Sequence, residues 1–322
     1  MRNNMKKLYF ICNLQSGKSM IRNKLAAVVD AFTSAGYEVT VRPTQARMDA
    51  CAAAEYACLS KQFDLIVCAG GDGTLNEVVQ GLMHSQQPLP LGYLPSGSTN
   101  DFAKGLRIPD DVEAAAEWIL HSHPYHCDIG RFNSRYFLYI AAFGAFTATV
   151  YETPQNIKNA LGHTAYVLNA IAQVANIRPL HLRIEYDDQV TEGDYLYGMV
   201  SNTASVGGLL KLKSFMLDDG SFEVMLIRKP ERAMDLHRIV TSLLNIDEEI
   251  DATHVQFFHA NKLRIFSDEK ITWTLDGEYG GALDHVEIEN LHRAITLCVG
   301  EDSIRNDDPI ALPLQEDDAS DQ

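Results

Sequence analysis

A cluster of glycines directly after an apolar segment is the first feature of this sequence that could do chemistry. The apolar residues 65–68 (LIVC) lead into GGDGT at 70–74, and a helix-like stretch follows over 75–82. Glycines allow backbone N–H groups to approach phosphate oxygens closely, and a helix N-terminus adds a favourable dipole. The alternative is a tight turn in which Asp72 caps the helix, and this segment alone does not decide between the two.

A second segment with the same order of features favours the phosphate interpretation. The apolar residues 91–95 (LGYLP) precede SGSTND at 96–101, and a helix start follows. Ligands of α/β proteins bind beyond the carboxyl ends of parallel strands, where both segments are predicted to lie. The expected nucleotide contacts in this second loop are Gly97, Ser98, Thr99 and Asn100.

Each loop also carries a carboxylate, which would repel a bare phosphate. Asp72 lies in the first loop, Asp101 in the second, and Asp128 follows in CDIG. Three carboxylates near predicted strand ends suggest a divalent cation, Mg²⁺, shared with nucleotide phosphates. The alternative is that one or two of them only hold loops through hydrogen bonds, and this alternative has most weight for Asp128.

The segment NLQSGKS at 13–19 ends like a P-loop but is not one. The full pattern requires glycine at position 12, where this chain has Cys12. The turn still places Gly17 and Lys18 between a strand and a helix, where they could form a third wall of a phosphate site.

The elements that must position these loops alternate between strand and helix over the first ~130 residues, which predicts a parallel sheet with crossover helices. After Pro124 strand patterns dominate, and helical stretches at 157–175 and 233–244 interrupt them. We therefore predict an α/β domain over 1–130, an antiparallel, mostly β domain over 131–300, and a disordered acidic tail over 301–322. The predicted strands are 7–12, 37–41, 64–69, 89–94, 136–142, 182–186, 196–201, 221–227, 262–266, 271–275, 286–289 and 294–299; the predicted helices of the first domain are 20–35, 46–60, 75–84 and 112–120.

Composition excludes several classes of protein. The chain has 322 residues and a formal net charge of −16, which argues against a nucleic-acid binder. No segment is long and apolar enough to span a bilayer, and the six cysteines form no CxxC pair. A reduced, cytoplasmic setting is expected. The histidines of HSHPYHC at 121–127 are spaced irregularly and are interpreted as part of a polar connector.

Both glycine-rich segments resemble the nucleotide loops of the diacylglycerol-kinase catalytic family, which comprises bacterial soluble lipid kinases related to sphingosine and ceramide kinases. Three further segments follow in the family's order: NLQSG at 13–17 is similar to its N-P-x-S-G turn with Leu14 in place of proline, LDDGSFEV at 217–224 to its D-G-x-(L/F)-(D/E)-V segment, and TLDGEYGG at 274–281 to its D-G-E motif. The resemblance covers roughly residues 7–300.

The resemblance implies an ATP- and Mg²⁺-dependent lipid kinase. Its active site would lie in the cleft between a Rossmann-like nucleotide domain, of the NAD kinase and diacylglycerol kinase type, and a β-sandwich-like domain. Lys18 would lie near the phosphates. The implied ATP contacts are Asn13, Ser16, Gly17, Lys18, Thr44, Gly71, Asp72, Gly73, Thr74, Asn76, Glu77 and Ser98.

The resemblance also assigns roles to carboxylates. Glu278 would be the general base, with Asp276 beside it as the less favoured candidate. Asp72, Asp101 and Asp128 would form an acidic network that links Mg²⁺ and bound water. Asp219 would bind a second, structural metal, together with the backbone carbonyls of Met216 and Ser221.

Several alternatives stay open at this stage. An NAD kinase or phosphofructokinase type of kinase, or a non-catalytic nucleotide or lipid sensor, could share the scaffold, and DGE alone could be a plain hairpin turn.

The residues that could contact a lipid are also open to two interpretations. Lys211 and Lys213 could attract an anionic lipid surface or simply be solvated. Phe143, Phe146 and residues 157–175 could line a lipid pocket or form core. The expected partner is a lipid at a membrane surface, reached by peripheral contact, and a homodimer is considered. The acceptor could be diacylglycerol, phosphatidylglycerol, a sphingoid base or an undecaprenol-like alcohol.

Overall fold

A computed structural model describes most of the chain. The described residues are 5–17, 20–144, 178–202, 205–206, 210–211, 217–232, 235, 238–239 and 253–300. Several predictions fall outside them: those for Lys18, Phe146, Lys213, Met216, the helix at 157–175, most of the helix at 233–244, and the tail at 301–322.

Strands and helices alternate along the first part of the chain, as its sequence pattern predicts. Strands β1, β2, β3 and β4 pair in the order β2-β1-β3-β4, and every pair is parallel. Helix α1 packs against α5, and α2 packs against α3. The bounds are β1 Lys6–Cys12, α1 Met20–Ser34, β2 Tyr37–Pro43, α2 Asp49–Ser60, β3 Leu65–Gly70, α3 Asp72–Met83, β4 Leu91–Pro95, α4 Asp101–Gly105 and α5 Val112–Leu120.

Two helix starts in this part were predicted three residues away from their observed positions: α2 begins at Asp49, not at Ala46, and the other start, that of α3, concerns the site. Helix α3 begins at Asp72, not at Leu75, so most of the predicted glycine loop is the first helical turn. Gly71 is the N-cap in an extended conformation and has no side chain to cap the helix. The amide groups of this turn are therefore open to a ligand or to another part of the protein.

The second part of the chain is antiparallel, as predicted. Its strands are β5 His123–Phe132, β6 Arg135–Phe137, β7 Ile140–Gly144, β8 Leu180–Tyr186, β9 Gln189–Ser201, β10 Ser205–Val206, β11 Leu210–Lys211, β12 Phe222–Arg228, β13 Val255–Ala260, β14 Lys262–Leu275 and β15 Glu278–Val299. The long strand β15 pairs with β14 and β5, and Leu297 also meets Leu91 of β4. One sheet therefore runs through both parts of the chain.

Three details of this part correct the sequence interpretation. The histidine-rich connector is mostly strand, because His123 and His126 lie on β5 and pair with β15. Residues 262–266 and 271–275 belong to one strand, whose register with β15 shifts between Phe266 and Ile271. The pattern at 136–142 is divided between β6 and β7. Among the described residues, no helix is long and apolar enough to cross a membrane.

The buried apolar residues form two cores. The first contains the strands and helices of the first part together with one face of β7, β9 and β12, including Met199 and Met225. The second lies on the other face of these strands, where Trp273 packs against the rings of Phe132 and Phe143. Because the first core continues into the second part of the chain, the elements on the two sides of the candidate site are packed together.

Candidate active site

Three loops meet at the carboxyl ends of β1, β3 and β4. The Asn13 amide donates to the carbonyl of Ala69 at 2.8 Å, and the Ser96 amide donates to the carbonyl of Gly70 at 2.9 Å. The hydroxyls of Ser16 and Ser96 lie 2.8 Å apart. Asn13 also donates from its side chain to the Thr74 hydroxyl at 3.2 Å. The turn at 13–17 is thus bonded to both glycine-rich loops and forms the predicted third wall.

The loops approach so closely that glycine is required at their contacts. A Cβ atom on Gly97 would lie 2.5 Å from the Cα of Gly71, and backbone atoms cannot move aside. Gly17 has a φ of +52°, and a Cβ atom there would collide with the carbonyl oxygen of Ser96. The surface these loops present is therefore made largely of backbone.

Asp72 holds the second loop against the first. Its carboxylate accepts hydrogen bonds from the amides of Asp101 at 3.1 Å and Phe102 at 3.4 Å. Burial raises the pKa of Asp72 above its usual value, the Asp101 amide opposes the shift, and the Asp101 charge reinforces it. Within the second loop itself, the Asn100 side chain accepts from the Gly97 amide at 2.9 Å and donates to the Gly97 carbonyl at 3.2 Å, which fixes the shape of this loop.

Glu278 lies on the opposite wall and faces the start of α3. It is the first residue of β15 and is exposed. A Cβ atom on Gly73 would lie 3.0 Å from its Oε1 atom, so the carboxylate sits directly over the first turn of α3. The structure therefore brings the predicted base to the predicted phosphate loop.

Asp276 was predicted as an alternative catalytic carboxylate, and the structure contradicts that role. It is 3% exposed. Its oxygens accept from the side chain of Asn76 at 2.7 Å and from the amides of Leu138, Tyr139 and Ile140 at 2.8, 2.9 and 3.1 Å. Burial raises its pKa to about 6 despite these donors. A carboxylate enclosed by four N–H groups is not open to a substrate, and Asp276 instead bonds the turn before Glu278 to α3 and to residues 138–140.

A cleft of about 640 Å³ runs between the two walls. It is lined by ten predicted site residues: Asn13, Ser16, Gly17, Gly71, Gly73, Thr74, Asn76, Glu77, Gly97 and Glu278. Six lining residues were not predicted: Arg47, Met48, Gln80, His84, Ser134 and Arg135.

Helical spacing offered a signal for two of the missed residues. Gln80 and His84 follow Asn76 and Glu77 along one face of α3, at the spacing of successive helical turns. Five predicted ATP contacts among the described residues do not line the cleft: Thr44, Asp72, Ser98, Thr99 and Asn100. The Thr44 amide is bonded to the Cys12 carbonyl at 2.9 Å.

The three predicted metal-binding carboxylates do not form one cluster. Asp128 is completely buried, and its side chain accepts from the amides of Gly220 and Arg293, both at 2.7 Å, and bonds with the His292 ring at 3.1 Å. Across the described ranges, no three histidine, cysteine or acidic side chains are grouped so that they could hold a metal ion. The expectation of one cation bound directly by Asp72, Asp101 and Asp128 is therefore wrong for this geometry.

The second metal site stays a prediction. Asp219 is exposed, and its carboxylate accepts from the Ser221 amide at 2.9 Å. The Ser221 carbonyl, a predicted ligand, accepts from Asn290 at 3.2 Å. Met216 lies outside the described residues.

Comparisons with known proteins agree with this arrangement. Residues 7–132 match the diacylglycerol kinase catalytic domain, and residues 141–299 match the YegS C-terminal NAD kinase beta sandwich-like domain. A diacylglycerol kinase of Bacillus subtilis (strain 168) is 39% identical over 293 residues, which are 90% of this chain and 95% of that protein. The chain belongs to the diacylglycerol kinase family. It is therefore a kinase, and the NAD kinase-like β-sandwich description agrees with its antiparallel second part.

Other relatives extend the comparison. A diacylglycerol kinase of Staphylococcus haemolyticus (strain JCSC1435) is 37% identical over 293 residues, covering 91% of this chain and 88% of that protein. A crystal structure of a diacylglycerol kinase from Bacillus anthracis str. Sterne has a TM-score of 0.73 at 21% identity, covering 94% of this chain and 100% of that one. The solved structure supports the two-domain fold, and the curated relatives support the family.

Proposed function

We propose that this protein transfers the γ-phosphate of ATP to a hydroxyl group of a diacylglycerol-like lipid. One observation carries the proposal: the Glu278 carboxylate faces the first turn of α3 across a cleft whose other wall consists of three glycine-containing loops. A backbone surface suited to phosphate and a carboxylate suited to deprotonation thus share one space. The relatives described above are named as diacylglycerol kinases, which favours a lipid over NAD or a sugar phosphate as acceptor.

The phosphates would bind at the loops. The first turn of α3 offers free amides and the positive end of the helix dipole, and Gly71 and Gly97 leave no side chain in the way. Residues farther along the cleft, among them Glu77 and His84, are left for the nucleoside.

Asp72 and Asp101 fit a magnesium ion that is shared with the nucleotide. Mg²⁺ commonly takes one or two carboxylates and completes its shell with water and substrate phosphates. Burial and the nearby Asp101 charge raise the pKa of Asp72, and a cation beside it would stabilise the ionised form. Bound there, Mg²⁺ would neutralise charge on the phosphates during transfer.

Glu278 would act on the acceptor. An alcohol attacking phosphorus must lose its proton, and a carboxylate in reach can take it. The new bond joins the lipid oxygen to the γ-phosphorus, the bond to the β-phosphate oxygen breaks, and ADP leaves with that electron pair. Peripheral contact with a membrane would deliver the lipid to the mouth of the cleft, on the side where Glu278 is exposed.

The test is transfer of label from [γ-³²P]ATP to a panel of acceptors. Diacylglycerol, phosphatidylglycerol, a sphingoid base and a polyprenol would be presented in mixed micelles, with NAD and a sugar phosphate as soluble alternatives. We expect diacylglycerol to be labelled and the labelling to stop when EDTA removes Mg²⁺. Labelling of NAD or the sugar phosphate alone would overturn the lipid assignment, and ATP binding without any transfer would favour a sensor.

A further inference from the structure

Arg135 is a lining residue of the cleft that the proposed function does not yet use. It begins β6 and lies on the same side of the cleft as Glu278. Its Nη1 atom donates to the carbonyl of Tyr279 at 2.9 Å, and Tyr279 directly follows Glu278. The arginine and the candidate base are therefore attached to the same turn.

Arg135 also lacks the ion pair that several other arginines form. Arg131 forms an ion pair with Glu289, and Arg293 with Asp218. Arg135 is half-buried, yet in the part of the chain that the structure describes no carboxylate forms an ion pair with it, and the bond to Tyr279 is its one hydrogen bond. A guanidinium has five N–H donors, so most of its donors are uncommitted.

A cleft-lining cation that forms no ion pair with a described carboxylate is available to an anionic ligand. The loops that we propose to bind phosphate line the same cleft as Arg135, and a guanidinium presents donors in a planar fork that matches phosphate oxygens. Resting on the proposed function, we propose that Arg135 binds the phosphoryl group while it passes from ATP to the acceptor. It keeps all its protons and donates hydrogen bonds to the equatorial oxygens, whereas Glu278 takes the proton of the acceptor hydroxyl.

This placement puts a cation, Arg135, and a candidate base, Glu278, beside each other at one turn. Charge on the moving phosphoryl group is spread over three oxygens, and transfer depends on positioning and neutralisation more than on covalent chemistry. Because Arg135 is bonded to Tyr279, the residue after Glu278, the guanidinium and the Glu278 carboxylate keep a fixed position relative to each other. Mg²⁺ at Asp72 and Asp101 would act from the loop side, and Arg135 from the acceptor side.

The experiment compares Arg135→Ala, Arg135→Lys and a matched control, Arg131→Ala, which removes an arginine of β5 that is paired with Glu289 of β15. For each variant kcat and KM are measured with the best lipid acceptor, together with the Kd for ATP and the melting temperature. We expect Arg135→Ala to lower kcat about 100- to 1,000-fold, the cost of removing a preorganised donor. The Kd for ATP should change by less than about threefold, Arg135→Lys should retain part of kcat, and Arg131→Ala should resemble wild type.

Added guanidinium separates a catalytic from a merely structural role. At concentrations below those that unfold the protein, it should restore part of kcat to Arg135→Ala and none to Glu278→Ala. Wild-type kcat in Arg135→Ala, or a fall confined to KM or melting temperature without rescue, would overturn the proposal and leave Arg135 as a support for Tyr279. If Arg135→Ala does not fold, loss of kcat in folded Arg135→Lys with unchanged ATP binding supports it, and retention of wild-type kcat overturns it. Absence of transfer by the wild-type protein would instead overturn the proposed function itself.

Discussion

The two walls of the cleft are built in different ways. The loop wall, residues 13–17, 70–74 and 95–101, is held by close backbone contacts and requires glycine where the chains meet. The turn wall, residues 276–279, depends chiefly on a buried side chain, since the Asp276 carboxylate bonds to α3 and to residues 138–140. A surface meant for phosphate can consist of backbone, whereas a base on a turn needs an anchor that fixes its position relative to that surface.

The anchor also joins parts of the chain that are distant in sequence. Asp276 receives hydrogen bonds from Asn76 of the first part and from the segment between β6 and β7 of the second. The loop wall consists of the ends of neighbouring strands in one parallel sheet. We therefore expect substitutions in the loop wall to affect ligand binding first, and substitutions at the anchor to affect stability first.

The largest effect is expected at the loop wall. In Gly97→Ala the new Cβ atom would lie 2.5 Å from the Cα of Gly71, so the two loops must separate. A misplacement of about 1 Å can cost about 100-fold in rate, and we expect at least that loss in phosphate transfer together with weaker ATP binding. Isothermal titration and the labelled-ATP assay measure both quantities.

Ser98→Ala is the control for that substitution. Ser98 is exposed in the same loop and does not line the cleft. It should keep ATP affinity within about twofold of wild type. Wild-type ATP binding by Gly97→Ala would show that the glycine contact does not shape the nucleotide site.

A smaller effect, and one on stability, is expected at the anchor. In Asp276→Asn one of the two acceptor oxygens becomes an NH₂ group, which leaves about two of the four buried N–H donors without an acceptor. Each buried unsatisfied donor costs about 1–3 kcal/mol, so the free energy of unfolding should fall by about 2–6 kcal/mol. Urea unfolding at pH 7.5 measures this change.

The control Asp284→Asn removes a charge from an exposed position of β15, the strand that follows the turn of Asp276, and should leave the unfolding free energy unchanged within about 0.5 kcal/mol. If Asp276→Asn were as stable as this control, the turn wall would not depend on Asp276.

The smallest effect on stability is expected at Glu223, which shows what a buried carboxylate does without the hydrogen-bond donors that surround Asp276. It too is a buried carboxylate, but within the described residues only its own backbone amide supports its ionised form. Burial, helped by the charge of Asp219, raises the pKa of Glu223 to about 7. Between its ordinary pKa and about pH 7 the folded state holds more protons than the unfolded state, so this group's contribution to stability falls as pH rises through that range.

Glu223→Gln should therefore behave in the opposite way to Asp276→Asn. At pH 8 it removes the cost of a buried charge, at most about 3 kcal/mol, and should raise the melting temperature by a few degrees. At pH 4.5 the difference from wild type should vanish. A melting temperature below wild type at pH 8 would mean that the ionised Glu223 has a stabilising partner.

Local patterns in the sequence predicted the parallel and antiparallel parts of the fold and ten residues that line the cleft, because apolar periodicity and glycine-rich strand ends are local signals. They did not predict the role of Asp276, whose partners lie more than a hundred residues earlier in the chain. A hydrogen-bonding role for Asp128 was one of the two alternatives, but its partners could not be predicted, since they come from residues 217–220 and 292–293. Arg135 lies in a short hairpin without a recognisable motif, and only the bond to Tyr279 reveals its position beside the base.

The most direct test of the account is single-turnover phosphate transfer by Glu278→Gln, a substitution that keeps the shape of the side chain and removes the base. The account predicts that transfer to diacylglycerol slows about 100- to 10,000-fold while the Kd for ATP and the melting temperature stay at wild-type values. Transfer at the wild-type rate by a folded Glu278→Gln protein would contradict it, because the carboxylate that faces the phosphate loop would then not be the base.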